Sequence, residues 1–162
     1  MIFITLGSQK FQFNRLLKSI DELIVNGRLQ SDVFAQIGYS DYEPQYYGYK
    51  PFLDRNEFAE AISKAEIIIT HGGTGAIINA VKKGKKVIAV PRRKEFGEHV
   101  DNHQFQLVGQ FKDLNLICQC NDCSKLDEAL EYVKRTKFAT YHSNTQIIID
   151  SIEKFILGVN IS

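Results

Sequence analysis

Short apolar runs alternate with longer amphipathic stretches along most of this chain of 162 residues. The runs have the length of strands, and they cover residues 2–6, 33–37, 67–70, 86–90 and 116–120. Between them, apolar residues recur every three or four positions, as they do on one face of a helix. This alternation predicts parallel strands that are connected by helices.

Helices are predicted at six places. The first has apolar residues at helical spacing from Phe13 to Ile24, and the second begins at Asp54, which forms a capping-box pattern with Glu57. The third follows a glycine-rich turn and ends at Gly84. The remaining helices cover residues 103–111, 126–133 and 145–157.

The order of these elements predicts an α/β fold class, with a Rossmann-like parallel sheet and helices on both faces. The length suits a single domain, 1–162, with its own core. Residues 39–49 are aromatic and polar, and we predict a loop there.

The most informative motif is the turn after residues 67–70. It carries His71, Gly72, Gly73, Thr74 and Gly75, and a helical pattern follows directly. Glycine lets the backbone approach an anion, while a helix N-terminus offers outward N–H groups and a favourable dipole. The motif therefore predicts a site for a phosphorylated ligand.

Other interpretations of this turn are weaker. A dinucleotide fingerprint would have a third glycine where Ile78 stands, and no acidic residue ends the following strand to bind a ribose. No Walker A sequence occurs. A tight strand-to-helix turn without a ligand stays the structural alternative.

Ligands of open parallel sheets bind beyond the carboxyl ends of the strands, so residues that follow strands are expected to share one rim. These residues are Gly7, Ser8, Gly38, the five residues of the glycine turn, and Arg92. Arg92 and Arg93 belong to a basic stretch, and a phosphate contact is expected for one of them. The earlier lysines of that stretch fit a solvated helix end, and together the charges also suit an anionic membrane surface.

Two groups of polar residues have both a functional and a structural interpretation. His71 is a candidate general base or phosphate donor, or a hydrogen-bonded turn residue. Asp101, Asn102, His103 and Gln104 open a predicted helix, where they would cap its N-terminus or bind sugar hydroxyls.

Net charge, hydropathy and cysteine content limit the classes of function that are expected for this chain. A formal net charge of +1 gives no argument for a nucleic-acid partner, and no apolar run reaches transmembrane length. The N-terminus lacks the pattern of a signal peptide, so a cytoplasmic location is expected. Cys118, Cys120 and Cys123 lack a second cysteine pair for zinc, and we interpret them as reduced thiols.

The last predicted helix has an apolar face wider than a one-sided stripe. It carries Ile147, Ile148, Ile149, Ile152, Phe155 and Ile156. Such a helix is either wedged into the core or serves a partner chain with part of its surface.

The succession HGGTGAIINAVKKGKKVIAVPR…EHVDNHQ, with the start MIFITLGS, resembles the C-terminal domain of glycosyltransferase family 28 over nearly the whole chain. It also resembles the small PssE-type subunits of bacterial capsule and exopolysaccharide transferases. These resemble the catalytic subunit of the dolichol-linked UDP-GlcNAc transferase and the C-terminal half of MurG.

The resemblance implies one half of a GT-B fold, the half that binds a UDP-sugar donor for an inverting hexosyltransferase. A membrane-anchored PssD-type chain would bind a polyprenyl-diphosphate-linked acceptor and recruit this chain to the inner face of the membrane. No D-x-D sequence occurs, so neither a metal nor a cofactor is expected beside the donor.

The donor-binding residues of the family correspond to residues of the glycine turn and of the segment from Asp101 to Gln104. The resemblance implies that Gly72 to Gly75 hold the diphosphate and that Gln104 contacts the sugar, beside Asp101, Asn102 and His103. Asn79 stands where many relatives carry a ribose-binding Glu, and the loop around Tyr49–Phe52 would lie near the uracil.

Two alternative functions stay open. One is a non-catalytic nucleotide-sugar-binding subunit that activates a partner transferase. The other is a stand-alone Rossmann-like enzyme that acts on a soluble phosphorylated substrate.

Overall fold

The computed structural model describes residues 1–158, so the last four positions of the predicted domain lie outside the described residues. One sheet of parallel strands contains β1 (Ile2–Thr5), β2 (Val33–Gln36), β3 (Gly48–Lys50), β4 (Ile67–Thr70), β5 (Lys86–Ala89) and β6 (Cys118–Gln119). Their order across the sheet is β3-β2-β1-β4-β5-β6. The direction of winding reverses between β1 and β4, and ligands of open parallel sheets bind beyond the carboxyl ends of the strands at such a switch point.

Helices cover both faces of the sheet, as the sequence predicts. They are α1 (Asn14–Val25), α2 (Arg55–Lys64), α3 (Thr74–Lys82), α4 (His103–Asp113), α5 (Leu126–Arg135) and α6 (Ser143–Ile156). Side chains of β1 alternate between two cores: Ile2 and Ile4 join a core with α1 and α5, whereas Phe3 faces α2, α3, α4 and α6. The alternation follows from the two-residue period of a strand.

Most predicted boundaries agree with the structure within two residues, and the capping box of Asp54 and Glu57 is present at α2. The three cysteines are buried and free. The prediction of a loop over residues 39–49 is wrong at its end, because β3 pairs there with β2. This strand has three residues, two of them exposed, so it has no apolar pattern of its own.

The connection between β2 and β3 is held by a buried carboxylate on α1. Asp21 accepts hydrogen bonds from the Tyr42 hydroxyl at 2.6 Å and from the backbone N–H groups of Gln45 at 2.9 Å and Tyr46 at 3.0 Å. Most of this crossover is therefore ordered by side-chain contacts, without a helix.

Candidate functional site

The carboxyl edge of the sheet brings the predicted loops together. A Cβ built on Gly38 would lie 2.9 Å from the carbonyl oxygen of Gly7, and one built on Gly7 would lie 2.6 Å from Nε2 of His71. A Cβ on Gly72 would lie 3.6 Å from Cβ of Gln104 in α4. The exposed Ser8 follows Gly7 on the same loop. The expectation that these strand ends share one rim is confirmed.

The imidazole of His71 is wedged between two glycines. A Cβ on Gly73 would lie 2.4 Å from its Cε1, and a Cβ on Gly7 would lie 2.6 Å from its Nε2. Real Cβ atoms do not approach this closely, so both positions require glycine while the ring keeps its place. Gly7 and Gly73 thus serve to seat His71.

His71 is neutral at physiological pH. Burial lowers its pKa to about 3, and the nearby charges of Arg92 and His99 act in the same direction, while Gln104 opposes them. A general base is most effective when its pKa lies near the working pH. The environment therefore favours a structural or hydrogen-bonding role for His71 over the base predicted as one alternative.

The N-terminus of α3 is the part of the rim that can receive an anion. Gly73 occupies the N-cap position and no side chain caps the helix. Gly75 is exposed, and a Cβ built on it would meet no protein atom within 4 Å. Asn79 follows Gly75 by one helical turn and lies on the same face. Outward N–H groups, a helix dipole and an uncovered backbone meet here at the switch between β1 and β4.

Buried side-chain atoms without a hydrogen-bond partner are concentrated at this same edge. Within residues 1–158 they are Gln36 Oε1, Thr70 Oγ1, His71 Nδ1, Arg92 Nε and Gln104 Oε1. All five follow or end β2, β4 or β5, or lie in the first turn of α4. Because buried polar atoms are usually paired, such a concentration is typical of a functional site.

The segment from Asp101 to Gln104 divides into two roles. Asn102 occupies the N-cap position of α4, but its side chain accepts from the Lys94 N–H at 3.0 Å and donates to Glu95 at 2.8 Å. Asp101 instead accepts from the N–H of His103 at 2.9 Å, which lowers the pKa of that carboxyl. The predicted N-cap by Asp101 or Asn102 is therefore not made, because Asn102 holds the preceding loop and Asp101, one position before the cap, closes a local turn. Gln104 points inward beside His71, whereas His103 is exposed.

Arg92 does not lie on the open rim. Its side chain is 1% exposed, and its terminal nitrogens donate to four backbone carbonyl oxygens. In this arrangement the guanidinium is enclosed by protein, and it does not present a donor to a phosphate at the N-terminus of α3.

Sequence reasoning missed an aromatic pair on the rim. Tyr39 and Phe52 follow β2 and β3, are both about half exposed, and meet edge to face with ring centroids 5.2 Å apart. Phe52 itself belongs to the segment that the resemblance places near the uracil. The pairing with Tyr39 was not available from the sequence, because it depends on the missed strand β3.

A cavity of about 380 Å³ lies at the opposite, amino edge of the sheet, and part of the basic stretch lines it. Two of the lysines that line it have structural partners: Lys86 donates to the carbonyls of Val133 at 2.7 Å and Lys134 at 3.2 Å, and Lys85 donates to the carbonyl of Ser63 at 2.9 Å. These contacts satisfy the C-terminal carbonyls of α5 and α2. We place the functional site at the carboxyl edge because the unpaired polar atoms and the open helix N-terminus are there.

Comparisons with known proteins agree with this fold. The chain is 27% identical over 128 residues to the Homo sapiens UDP-N-acetylglucosamine transferase subunit ALG13, an alignment that covers 74% of this chain but only 11% of the relative. An ALG13 solution structure superposes with a TM-score of 0.61 at 17% identity, covering 93% of this chain and 96% of the other. Acinetobacter baumannii MurG gives 0.58 at 18% identity, covering 93% of this chain and 49% of MurG.

No helix within residues 1–158 is long and apolar enough to cross a membrane. The sheet and its helices correspond to one half of a GT-B glycosyltransferase, as the partial coverage of MurG indicates. The model of the glycosyltransferase family 28 C-terminal domain matches residues 1–155. The chain therefore belongs to the glycosyltransferase family 28 C-terminal domain family.

Proposed function

We propose that this chain binds the donor of an inverting UDP-sugar glycosyltransferase and that a partner chain binds the acceptor. The donor would be a UDP-hexose, and the acceptor a polyprenyl-diphosphate-linked saccharide of bacterial capsule or exopolysaccharide synthesis. The partner would be a membrane-anchored PssD-type subunit that recruits this chain to the inner face of the cell membrane. Similarity to a subunit of a UDP-N-acetylglucosamine transferase supports both the donor class and a multichain enzyme.

One observation carries this proposal: the N-terminus of α3 opens at the switch between β1 and β4, with Gly75 facing free space. A diphosphate placed there would accept hydrogen bonds from the first N–H groups of the helix and would be stabilised by the dipole. Asn79 is one turn further on the same face and within reach of a ribose on this donor.

The chemistry assigned to this chain is stabilisation of the leaving group. The acceptor oxygen attacks the anomeric carbon, the bond from that carbon to the UDP oxygen breaks, and negative charge grows on the diphosphate. Fixed N–H dipoles at α3 oppose that charge without reorganisation. The acceptor proton passes to a base that we place on the partner, since His71 is buried between glycines and has a low pKa.

Isothermal titration of the purified chain with UDP, CMP, ADP and GDP tests the donor site. We expect UDP to bind more tightly than the other nucleotides, and UDP-sugars to bind in the same site by competition. Absence of UDP binding by folded protein contradicts the proposal and leaves a soluble phosphorylated substrate as the better hypothesis.

Reconstitution with a PssD-type partner tests whether donor binding and acceptor binding are divided between the two chains. Positioning of two reactants accounts for about 7–11 kcal/mol of a barrier, so the chain alone is expected to transfer almost no sugar to a lipid-linked acceptor. Adding the partner should restore transfer. If the pair stays equally active with a variant of this chain that no longer binds UDP, the chain is a non-catalytic activator.

A further inference from the structure

A buried cation joins two loops of the donor rim. Arg92 Nη2 donates to the carbonyl oxygen of Leu6 at 2.7 Å, and Nη1 donates to the carbonyls of Phe11 at 3.1 Å, Gln12 at 3.2 Å and Glu98 at 3.2 Å. The guanidinium also lies over the Phe13 ring, 5.2 Å from its centroid. One side chain after β5 thus holds both ends of the loop between β1 and α1.

An ion pair between Glu98 and Arg15 continues this connection. Glu98 is 1% exposed, and its carboxylate accepts from Arg15 Nε and Nη2, both at 3.0 Å, in a bidentate geometry. The same carboxylate accepts from the Arg93 N–H at 3.0 Å. Arg15 lies on the first turn of α1. We call Arg92, Glu98 and Arg15 the arginine clasp.

The clasp spans the strand that carries the glycine turn. In the sheet β4 lies between β1 and β5, so contacts between the loops after β1 and β5 cross the end of β4. His71 and the turn after it lie between the two fastened loops, and Gly7, next to Leu6, is one wall of the His71 seat. Movement of the β1 loop would therefore displace the ring and the turn that opens α3.

The energetic cost of burying Arg92 indicates that its hydrogen bonds serve to fix the geometry of the two loops. The four partners of the Arg92 terminal nitrogens are neutral carbonyls, and its Nε has no partner. Burial of a charge without a directly bonded anion is unfavourable, and burial lowers the pKa of Arg92 to about 10, which still leaves it charged at neutral pH. A planar fork that reaches carbonyls on two separate loops holds them in a way that the point charge of a lysine does not reproduce.

We propose that Arg92 is a positioning residue: through the arginine clasp it holds the loops after β1 and β5 in the arrangement that lets the glycine turn bind the donor diphosphate. This inference rests on the proposed function for the identity of the ligand. It predicts that loss of the clasp weakens donor binding although the guanidinium does not touch the donor.

The test compares Arg92→Lys and Arg92→Ala with Asp21→Asn. Asp21 is a matched control because it too is a buried charged side chain that fastens a loop by hydrogen bonds, but between β2 and β3. Folding is checked by circular dichroism and thermal unfolding, and UDP affinity is measured well below each midpoint. If the loops of the Arg92 variants are competent for about a tenth of the time, UDP affinity falls about tenfold.

Two further readouts separate positioning from simple loss of stability. Millimolar guanidinium should restore UDP affinity to Arg92→Ala, whereas folded Asp21→Asn should bind UDP with wild-type affinity whether or not guanidinium is present. Amide exchange should become faster at Phe13 and Arg93, whose N–H groups donate to Ser40 and Glu98, while α5 stays protected. Wild-type UDP affinity in folded Arg92→Ala and Arg92→Lys would overturn the proposal.

Failure of the proposed function has a different signature, because wild-type protein would then not bind UDP. Amide exchange in that case tests the clasp by itself. Faster exchange in both loops of Arg92→Ala supports it, and unchanged exchange in either loop overturns it.

Discussion

Replacement of Gly75 by Asp is the sharpest test of the donor site, because the structure separates its effect on binding from its effect on folding. The position is exposed in the first turn of α3, and a Cβ there meets no protein atom within 4 Å. A carboxylate near a helix N-terminus stabilises the helix by about 0.3–1 kcal/mol. We therefore expect Gly75→Asp to fold at least as stably as the wild type.

Binding should respond in the opposite direction. The new carboxylate competes for the same N–H groups and repels the diphosphate. Loss of two charge-assisted hydrogen bonds, at about 1.5–3 kcal/mol each, amounts to about 3–6 kcal/mol, or more than about a hundredfold in the UDP dissociation constant. Gly73→Asp is a poor substitute for this test, because its Cβ would lie 2.4 Å from His71 and disturb the fold itself.

Gly109→Asp is the matched control. Gly109 also lies in a helix, α4, where a built Cβ has an ordinary contact of 3.9 Å with Gln119, and the variant has the same change in net charge. Both variants are titrated with UDP by calorimetry after thermal unfolding has shown that they are folded. UDP affinity within about twofold of wild type in folded Gly75→Asp would refute the assignment of the diphosphate to this turn.

Three further predictions concern buried polar groups. His71 has a folded-state pKa of about 3 against an ordinary value of 6.5, so the unfolded chain binds a proton there at a higher pH than the folded chain does. The contribution of neutral His71 to stability is full above about pH 6.5 and is lost as pH falls towards 3. Chemical unfolding at several pH values should therefore show a steeper loss of stability in acid for the wild type than for His71→Gln. Gln104→Ala should weaken binding of a UDP-sugar more than that of UDP, since the Gln104 Oε1 has no protein partner; equal losses by calorimetry would remove Gln104 from the sugar pocket. Asp21→Asn should destabilise the protein by about 1–3 kcal/mol in urea unfolding, because an amide cannot accept all of the hydrogen bonds from Tyr42, Gln45 and Tyr46; unchanged stability would contradict this account of the loop.

Local patterns were sufficient for most of the fold. Apolar runs of strand length and helical spacing predicted β1, β2, β4 and β5 within two residues, because buried strands and amphipathic helices carry their burial in the sequence itself. They did not predict β3, whose exposed Gly48 and Lys50 become a strand only through pairing with β2. The strand order was also out of reach, since it depends on contacts between distant segments.

In the candidate site, too, local features were predictable from the sequence, whereas contacts between distant segments were not. The sequence by itself determined that glycines follow β1, β2 and β4 and that a helix opens at the third of these turns, and the rule for parallel sheets then placed them on one rim. Only the tertiary structure decided what each glycine does. Position 73 has no room for a side chain because His71 lies against it, whereas Gly75 faces open space. It also moved Arg92 from the predicted phosphate contact to a connection between loops, because its carbonyl partners at Leu6, Phe11 and Gln12 lie 80 or more positions away in the chain. Residue type and spacing carry local geometry, but a buried side chain's partners depend on which distant backbone atoms the fold brings within hydrogen-bond reach.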